Sequence, residues 1–221
     1  MIITIKLHLS ICAGENKLSN VRKLGQSKFF KRLFFGIDIP DQTLSNTEKL
    51  LNSFSISSSH VKWVRTAHLH ITLKFLGDVE EKNISAICSA ANNIAKNFEP
   101  INLSVVGMGV FPNRYRPKVI WLGVNGDIED LACLEAKLMQ SLTPLGYPPD
   151  ERLFTAHISI GRIKDNSARG EIIRLVHKYS KEELGDASFS DFHLYESRLG
   201  PRESIYTKIN SFKLGGNQST L

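Results

Sequence analysis

The sequence has few cysteines and no long apolar run. Three of its 221 residues are cysteine, and Cys12, Cys88 and Cys133 lie far apart. There is no Cys-x-x-Cys pair and no zinc-ligand spacing, and so sparse a set is typical of a reducing compartment. No segment approaches the ~18 consecutive apolar residues that a membrane helix needs. We therefore expect a cytoplasmic protein with no membrane partner.

Most of the chain also lacks net charge. The 28 basic and 22 acidic residues give +6, but residues 1–32 hold seven of the bases and one of the acids, which leaves 21 of each in residues 33–221. Because residues 33–221 carry no net charge, they do not suit non-specific binding of long nucleic-acid duplexes, in which each neutralised phosphate needs a Lys or Arg. A small anionic substrate or a nucleic-acid end needs only a few local cations and is still allowed.

The basic N-terminal segment does not resemble a signal peptide. Its alternating start lacks a basic region followed by a continuous apolar core. Because the segment is basic and poor in acids, a transit peptide is the alternative, although it holds one Arg in its first thirty residues and no clear amphipathic helix.

Hydrophobic periodicity predicts an α+β fold. The predicted strands cover 33–38, 61–64, 69–76, 101–110, 118–124, 153–163, 188–196 and 204–214, and the predicted helices cover 41–54, 80–98, 128–142 and 168–179. Asp41 is a candidate N-cap, and Gly77 is expected to end its strand. Several strands are joined too briefly for a parallel crossover, which needs a dozen or more residues. We therefore expect antiparallel sheets in two successive lobes.

Two predicted strands carry the same short motif. Residues 70–73 read His-Ile-Thr-Leu, and residues 157–160 read His-Ile-Ser-Ile. Side chains at i and i+2 of a strand share a face, so each motif places an imidazole beside a hydroxyl. The two pairs converge on one cleft if the lobes face each other. A third match, at residues 8–11, lies in the basic N-terminal segment, and we interpret it as a chance match, or decoy motif.

Two histidines beside two hydroxyls suit general acid–base chemistry. A histidine pKa of ~6.5 allows a neutral base and a protonated acid to coexist near neutral pH. Hydroxyl donors can stabilise an oxygen on which negative charge develops. This chemistry needs no metal, and the sequence shows no metal-ligand set, so we expect no cofactor. A buried histidine bonded to a neighbouring hydroxyl is the structural alternative for either motif alone.

The flanking segments resemble the RNA 2′,3′-cyclic phosphodiesterases, two-histidine (2H) phosphoesterases historically named 2′-5′ RNA ligases. The matching landmarks are RLFFGIDIP at 32–40, Trp63-Val64, HLHITLKFLG at 68–77, PKVIWLGV at 117–124, FTAHISIGR at 154–162, ESRL at 196–199 and Tyr206. The resemblance covers about residues 31–214. It implies two pseudo-symmetric lobes of antiparallel sheet with helices outside and a central cleft, flanked by an N-terminal extension at 1–30 and a tail at 215–221.

The resemblance also implies an activity and residue roles. The activity is hydrolysis of an RNA or nucleotide 2′,3′-cyclic phosphate to a 2′-phosphomonoester, with His70 as proton donor and His157 as proton acceptor. Thr72 and Ser159 correspond to phosphate-oxygen donors. Arg162 is a weaker substrate-binding candidate, because strict alternation places it on the strand face opposite His157.

The second motif departs from the family pattern. Ala156 stands where Pro is usual, and Ser159 and Ile160 replace Thr and Leu. Serine keeps the hydroxyl donor but loses the methyl group that stiffens χ1. These departures bear on rate and substrate preference more than on reaction class.

Two other functions are compatible with the same residues. One is joining of 2′-5′ RNA ends by the same site run backwards, and the other is non-catalytic binding of RNA ends. The expected partners are RNA with 2′,3′-cyclic phosphate ends, including tRNA fragments, or cyclic nucleotides, and the expected state is a monomer. Arg114, Arg116 and Lys118 form a Pro-bounded basic loop that either attracts RNA or is merely solvated.

Overall fold

The computed structural model describes residues 30–54, 56, 59–150, 153–200 and 204–215. The strands are β1 Phe30–Asp38, β2 Val61–Trp63, β3 His70–Glu80, β4 Ile101–Phe111, β5 Val119–Gly126, β6 His157–Ile163, β7 Glu183–Phe189, β8 Asp191–Leu199 and β9 Ser204–Lys213. The helices are α1 Asp41–Asn52, α2 Ile84–Ala95, α3 Ile128–Leu142 and α4 Arg169–Lys178. The decoy motif at residues 8–11 lies outside the described residues.

The strands form two antiparallel halves that meet in the middle. Their order is β7-β4-β5-β6-β3-β1-β8-β9, with β2 paired to β6. A single residue pair, Ile71 with Ile158, joins β3 to β6. We call β3, β1, β8 and β9 the first lobe, and β6, β5, β4 and β7 the second lobe. Each lobe thus begins at the junction with the strand that carries a histidine motif, which gives the pseudo-symmetry that the family resemblance implies.

The lobes are not successive halves of the chain. The last two strands, β8 and β9, return to the first lobe, where β8 pairs with β1. The prediction of successive lobes is therefore wrong, while that of antiparallel sheets is confirmed. The return cannot be recognised locally, because a strand's partner is decided by long-range packing rather than by its own pattern.

Three local predictions need correction. Gly77 does not end its strand: it lies inside β3 with φ at 74°, next to a register shift against β1, and glycine accepts this backbone conformation without strain. Asp41 is the first residue of α1 rather than its N-cap, which is Pro40. The predicted strand 188–196 is divided between β7 and β8, which are separated at Ser190.

The core lies between the sheet and the helices. The apolar stripe of α3 is fully buried, with Leu131, Leu134, Leu138 and Leu142 each 0% exposed. This stripe follows the i, i+3, i+7 spacing of an amphipathic helix, and its burial supplies the hydrophobic stabilisation that holds α3 in place. No helix in the described part of the chain is both long and apolar enough to span a membrane.

Candidate active site

The two histidine motifs lie side by side at the junction of the lobes. Since Ile71 and Ile158 are paired antiparallel, each histidine is opposite the hydroxyl-bearing residue of the other motif when the register is continued by one residue. The two isoleucines are buried on one face, so the polar side chains lie on the other. We call this second face the cleft face; it carries His70, Thr72, His157 and Ser159.

The two imidazoles are oriented in the same way. His70 Nδ1 lies 2.9 Å from the carbonyl oxygen of His68, and His157 Nδ1 lies 2.7 Å from that of Thr155. A carbonyl can only accept, so each Nδ1–H donates and the neutral ring keeps its lone pair on Nε2. Both rings thus have Nε2 as the nitrogen available for proton exchange.

Aromatic side chains and a glycine surround His70. The Phe34 and Tyr206 rings lie 4.8 and 5.3 Å from its imidazole, between ring centroids. Gly36 is beside it in β1, where an added Cβ would come within 3.3 Å of the His70 ring and 3.1 Å of a backbone oxygen. Glycine at this position therefore makes room for the imidazole.

Burial lowers the pKa of His70 below its usual value. The hydrogen bond to His68 and the charge of Asp38 act in the opposite direction, and the charge of His157 lowers the pKa further. Burial disfavours the charged form, whereas a nearby carboxylate favours it. The influence of His157 is consistent with two imidazoles on one sheet face.

Asp38 belongs to a polar network that sequence reasoning missed. It pairs directly across from His70 in the sheet and accepts hydrogen bonds from Tyr195 Oη and Lys208 Nζ. Buried His193 has its Nε2 3.6 Å from the same carboxylate. Burial raises the pKa of Asp38, but these hydrogen bonds and charges outweigh it, so its pKa is lowered. Asp38 is therefore an anion beside the cleft.

A cavity of about 310 Å³ adjoins His70. Its walls combine aromatic and charged groups, among them Phe34, Tyr195, Tyr206, Asp38 and Lys208. A larger cavity of about 500 Å³, between α1 and the β4–β7 edge, contains neither motif histidine. The smaller cavity is lined by His70 but not by His157, so it forms the first-lobe side of the candidate site.

His157 packs against the aromatic side chains of the second lobe. The Phe111 ring meets it edge-on at 5.0 Å, and Trp121 lies 5.2 Å from Phe111. The Trp121 indole N–H is buried without a hydrogen-bond partner among the described residues, so packing alone holds the ring. A Cβ at Gly109 would overlap that ring. The position of His157 thus depends, through two aromatic rings, on a glycine in β4.

A β-bulge changes the face on which Arg162 lies. Strict alternation places Arg162 opposite His157, but the register with β5 shifts after Ser159, so that Ile160 is an additional residue. Arg162 consequently pairs with Val119, which is two residues from the partner of Ser159. Cross-strand partners share a face, so Arg162 lies on the cleft face and the alternation argument is wrong.

Comparison with known proteins identifies the family. Residues 37–121 match the model of the LigT-like phosphoesterases. The chain is 35% identical over 182 residues to the RNA 2′,3′-cyclic phosphodiesterase of Archaeoglobus fulgidus, covering 82% of this chain and 99% of that protein. The protein of the same name from Methanothermobacter thermautotrophicus is 31% identical, with 83% and 98% covered. The chain belongs to the cyclic phosphodiesterase family of the LigT-like phosphoesterases.

Two solved structures have the same fold. Escherichia coli LigT in its apo form superposes with a TM-score of 0.67 at 24% identity, covering 84% of this chain and 98% of LigT. A Thermus thermophilus protein gives 0.70 at 24%, with 85% and 100% covered. The predicted family, fold class and hydrolase class are confirmed for this LigT-like enzyme.

Several cleft residues of this LigT-like phosphoesterase were not singled out from the sequence. They are Gly36, Asp38, Tyr195 and Lys208. A signal existed for the first two, since they lie in the landmark segment 32–40 at the end of a buried strand. No local pattern marks Tyr195 or Lys208, because they meet Asp38 only through the pairing of β8 and β9 with the first lobe.

Among the described residues no group of three or more His, Cys, Asp and Glu side chains could hold a metal ion.

Proposed function

We propose that this enzyme hydrolyses RNA or nucleotide 2′,3′-cyclic phosphates to 2′-phosphomonoesters by acid–base catalysis with two histidines. The observation that carries the proposal is the pair of imidazoles on one sheet face, each with Nδ1 bonded to a carbonyl and Nε2 left for proton exchange. The name shared by the relatives, RNA 2′,3′-cyclic phosphodiesterase, supports the substrate class.

Each group at the cleft has a role in this reaction. Water attacks phosphorus while His157 Nε2 accepts its proton, and His70 Nε2 donates a proton to the departing 3′ oxygen of the ribose. The Thr72 and Ser159 hydroxyls donate to the non-bridging oxygens, where negative charge develops. Arg162, on the same face because of the bulge, is a further phosphate ligand. The bound phosphodiester anion favours the protonated form of His70, which offsets its lowered pKa.

The direct test is hydrolysis of a 2′,3′-cyclic mononucleotide in the presence of a chelator. We expect a 2′-phosphomonoester product, distinguished from the 3′ isomer by phosphorus NMR, and a rate that the chelator does not change. Turnover that stops with the chelator, or a 3′ product, would contradict the proposed chemistry. Incubation with cleaved tRNA halves tests the ligase alternative, since joining gives a longer product with a 2′-5′ linkage.

Three finer statements stay predictions: tRNA fragments as substrates, a monomeric state and a cytoplasmic location. The division of the chain at residues 30 and 214 is also a proposal. A sedimentation measurement tests the monomer, and hydrolysis of tRNA fragments ending in a cyclic phosphate tests the substrate.

The pH dependence is expected to respond to Asp38. Activity needs protonated His70 and neutral His157, so a plot of kcat/KM against pH is bell-shaped. Its two apparent pKa values belong to the pair of histidines rather than to either residue. Since the Asp38 carboxylate raises the pKa of His70, Asp38→Asn lowers this pKa further. A lower pKa of the acid moves the maximum of the bell to lower pH and reduces its height.

The control for this pH profile is Asp41→Asn. Asp41 lines the same cavity, but it is not among the groups that shift the pKa of His70. We expect its profile to match that of the unmodified enzyme. An unchanged maximum in the Asp38 variant, or an equal shift in both variants, would refute the role of Asp38. Asparagine keeps an oxygen that accepts from Tyr195, which limits structural disturbance.

A further inference from the structure

A group of exposed cations lies beside the cleft, on β2 and on the loop between β4 and β5. Arg114, Arg116 and Lys118 are exposed in the loop between β4 and β5, which contains no acidic residue. Lys62 in β2 is exposed as well. The ion pairs found within the described residues include none of these four side chains. We call Lys62, Arg114, Arg116 and Lys118 the basic edge.

The loop of the basic edge is held in one shape. Asn113 Oδ1 accepts hydrogen bonds from the backbone N–H groups of Tyr115 and Arg116, both at 3.0 Å. Arg169 of α4 donates to the Tyr115 carbonyl at 3.3 Å. The Tyr115 side chain is nevertheless 81% exposed. These three hydrogen bonds therefore hold a loop that exposes the Tyr115 ring, and Tyr115 is flanked in the sequence by Arg114 and Arg116.

The basic edge is continuous with the cleft. At one end of the loop Phe111 contacts His157. At the other end Val119 pairs with Arg162, and Arg162 in turn pairs with Lys62. Partners across a ladder share a face, so Lys62 and Arg162 both lie on the cleft face. Both ends of the loop therefore adjoin the cleft face, which places the basic edge next to the two histidines.

We propose that the basic edge binds the single-stranded RNA that precedes the cyclic end, with its cations at the phosphates and Tyr115 stacked on a base. The proposal rests on the proposed function and deepens it, because it makes an oligonucleotide end rather than a cyclic mononucleotide the preferred substrate. Exposed cations interleaved with an aromatic ring are the usual means of binding single strands. Residues 33–221 are neutral in sum, with 21 bases and 21 acids, and these four bases are among the 21. The remainder of this part of the chain is therefore acidic, which makes the local excess of cations selective for a short segment rather than a long duplex.

The test compares two substrates and two charge-matched variants. The substrates are cytidine 2′,3′-cyclic phosphate and a single-stranded RNA hexamer ending in a 2′,3′-cyclic phosphate. The first variant combines Lys62→Gln, Arg114→Gln, Arg116→Gln and Lys118→Gln. The control variant combines Lys49→Gln, Lys96→Gln, Lys137→Gln and Lys181→Gln, which removes four exposed cations elsewhere.

We expect the unmodified enzyme to show a higher kcat/KM for the hexamer than for the mononucleotide. The basic-edge variant should lose about tenfold or more on the hexamer at low salt. The negative slope of log(kcat/KM) against log[salt] should become less steep by up to about 3, since each cation on a single strand contributes about 0.7 to its steepness. Its mononucleotide activity and the activities of the control variant should not change. Tyr115→Ala should weaken only the hexamer reaction, because a base–aromatic stack is removed.

Three results would overturn the proposal: an equal loss on both substrates, no loss on the hexamer, or an equal loss in the control variant. If the unmodified enzyme hydrolyses neither substrate, the proposed function fails. Whether the basic edge binds RNA is then measured by fluorescence anisotropy with a labelled hexamer that ends in a 3′-hydroxyl. If an acidic polyglutamate peptide displaces the labelled hexamer as strongly as unlabelled RNA does, the RNA assignment is also refuted. Such a result would show that the basic edge binds any polyanion.

Discussion

Replacing His70 or His157 by alanine is expected to reduce cyclic-phosphate hydrolysis by about 10²–10⁴-fold, the usual contribution of general acid–base catalysis. Each replacement removes one of the two Nε2 atoms to which we assign proton exchange. Because acid and base act in one step, the double variant should lose little more than either single variant. The measurement is kcat/KM on a cyclic mononucleotide.

The controls separate catalysis from folding. His70→Gln and His157→Gln keep most of the side-chain volume and should be as inactive as the alanine variants, while thermal unfolding shows a folded protein. His177→Ala changes an exposed helix residue, and His8→Ala changes the same His-x-Ser pattern in the N-terminal segment; both should keep full activity. Full activity in a His70 or His157 variant would refute the proposed mechanism, and loss of activity in the His8 variant would give that motif a function.

Gly109→Ala is expected to destabilise the protein by about 1–3 kcal/mol, the usual cost of overpacking a filled site. The added methyl group would overlap the Trp121 ring. The indole N–H of Trp121 has no hydrogen-bond partner among the described residues, so packing alone determines where the ring lies. Gly109 is not among the glycines with positive φ, so backbone strain does not add to the clash. Displaced Trp121 would move Phe111 and then His157, so kcat should fall as well.

The matched control is the same substitution where space is open. In Gly170→Ala the nearest atom to the new Cβ, apart from the adjacent residues and the helix backbone, is 3.8 Å away at the tip of the flexible Arg174 side chain. Alanine favours helix over glycine by up to about 1 kcal/mol, so this variant should be neutral or slightly more stable. Urea unfolding measures both free energies of unfolding. Adding Trp121→Leu to Gly109→Ala should recover part of the lost stability. If Gly109→Ala and Gly170→Ala were equally stable, the Trp121 ring would move aside at no cost in free energy, which would contradict the prediction.

Some elements could be predicted closely because their signals are local. The helix α3 begins and ends where its leucine stripe predicts, at 128 and 142. The strand β7 was missed over most of its length because it reads Glu-Leu-Gly-Asp-Ala-Ser-Phe, with two acids and a glycine that weaken a strand pattern. It is a strand because β4 pairs with it, and that pairing is not visible in the segment itself.

The face of Arg162 illustrates the same limit at the site. Alternation is a correct rule for an uninterrupted strand, but one additional residue at Ile160 reverses it for everything that follows. A bulge depends on the register with the neighbouring strand, which the sequence of β6 does not contain. The consequence is functional, because it brings a guanidinium to the cleft face.

By itself the sequence determined the two His-x-hydroxyl strands, the α+β class and the neutrality of residues 33–221, since each follows from residue type and periodicity. The tertiary structure alone decided that His70 and His157 lie on one face and that Asp38 is held by Tyr195 and Lys208. The physical reason is distance along the chain. Asp38 and Tyr195 are 157 residues apart, and only the pairing of β8 with β1 brings them together.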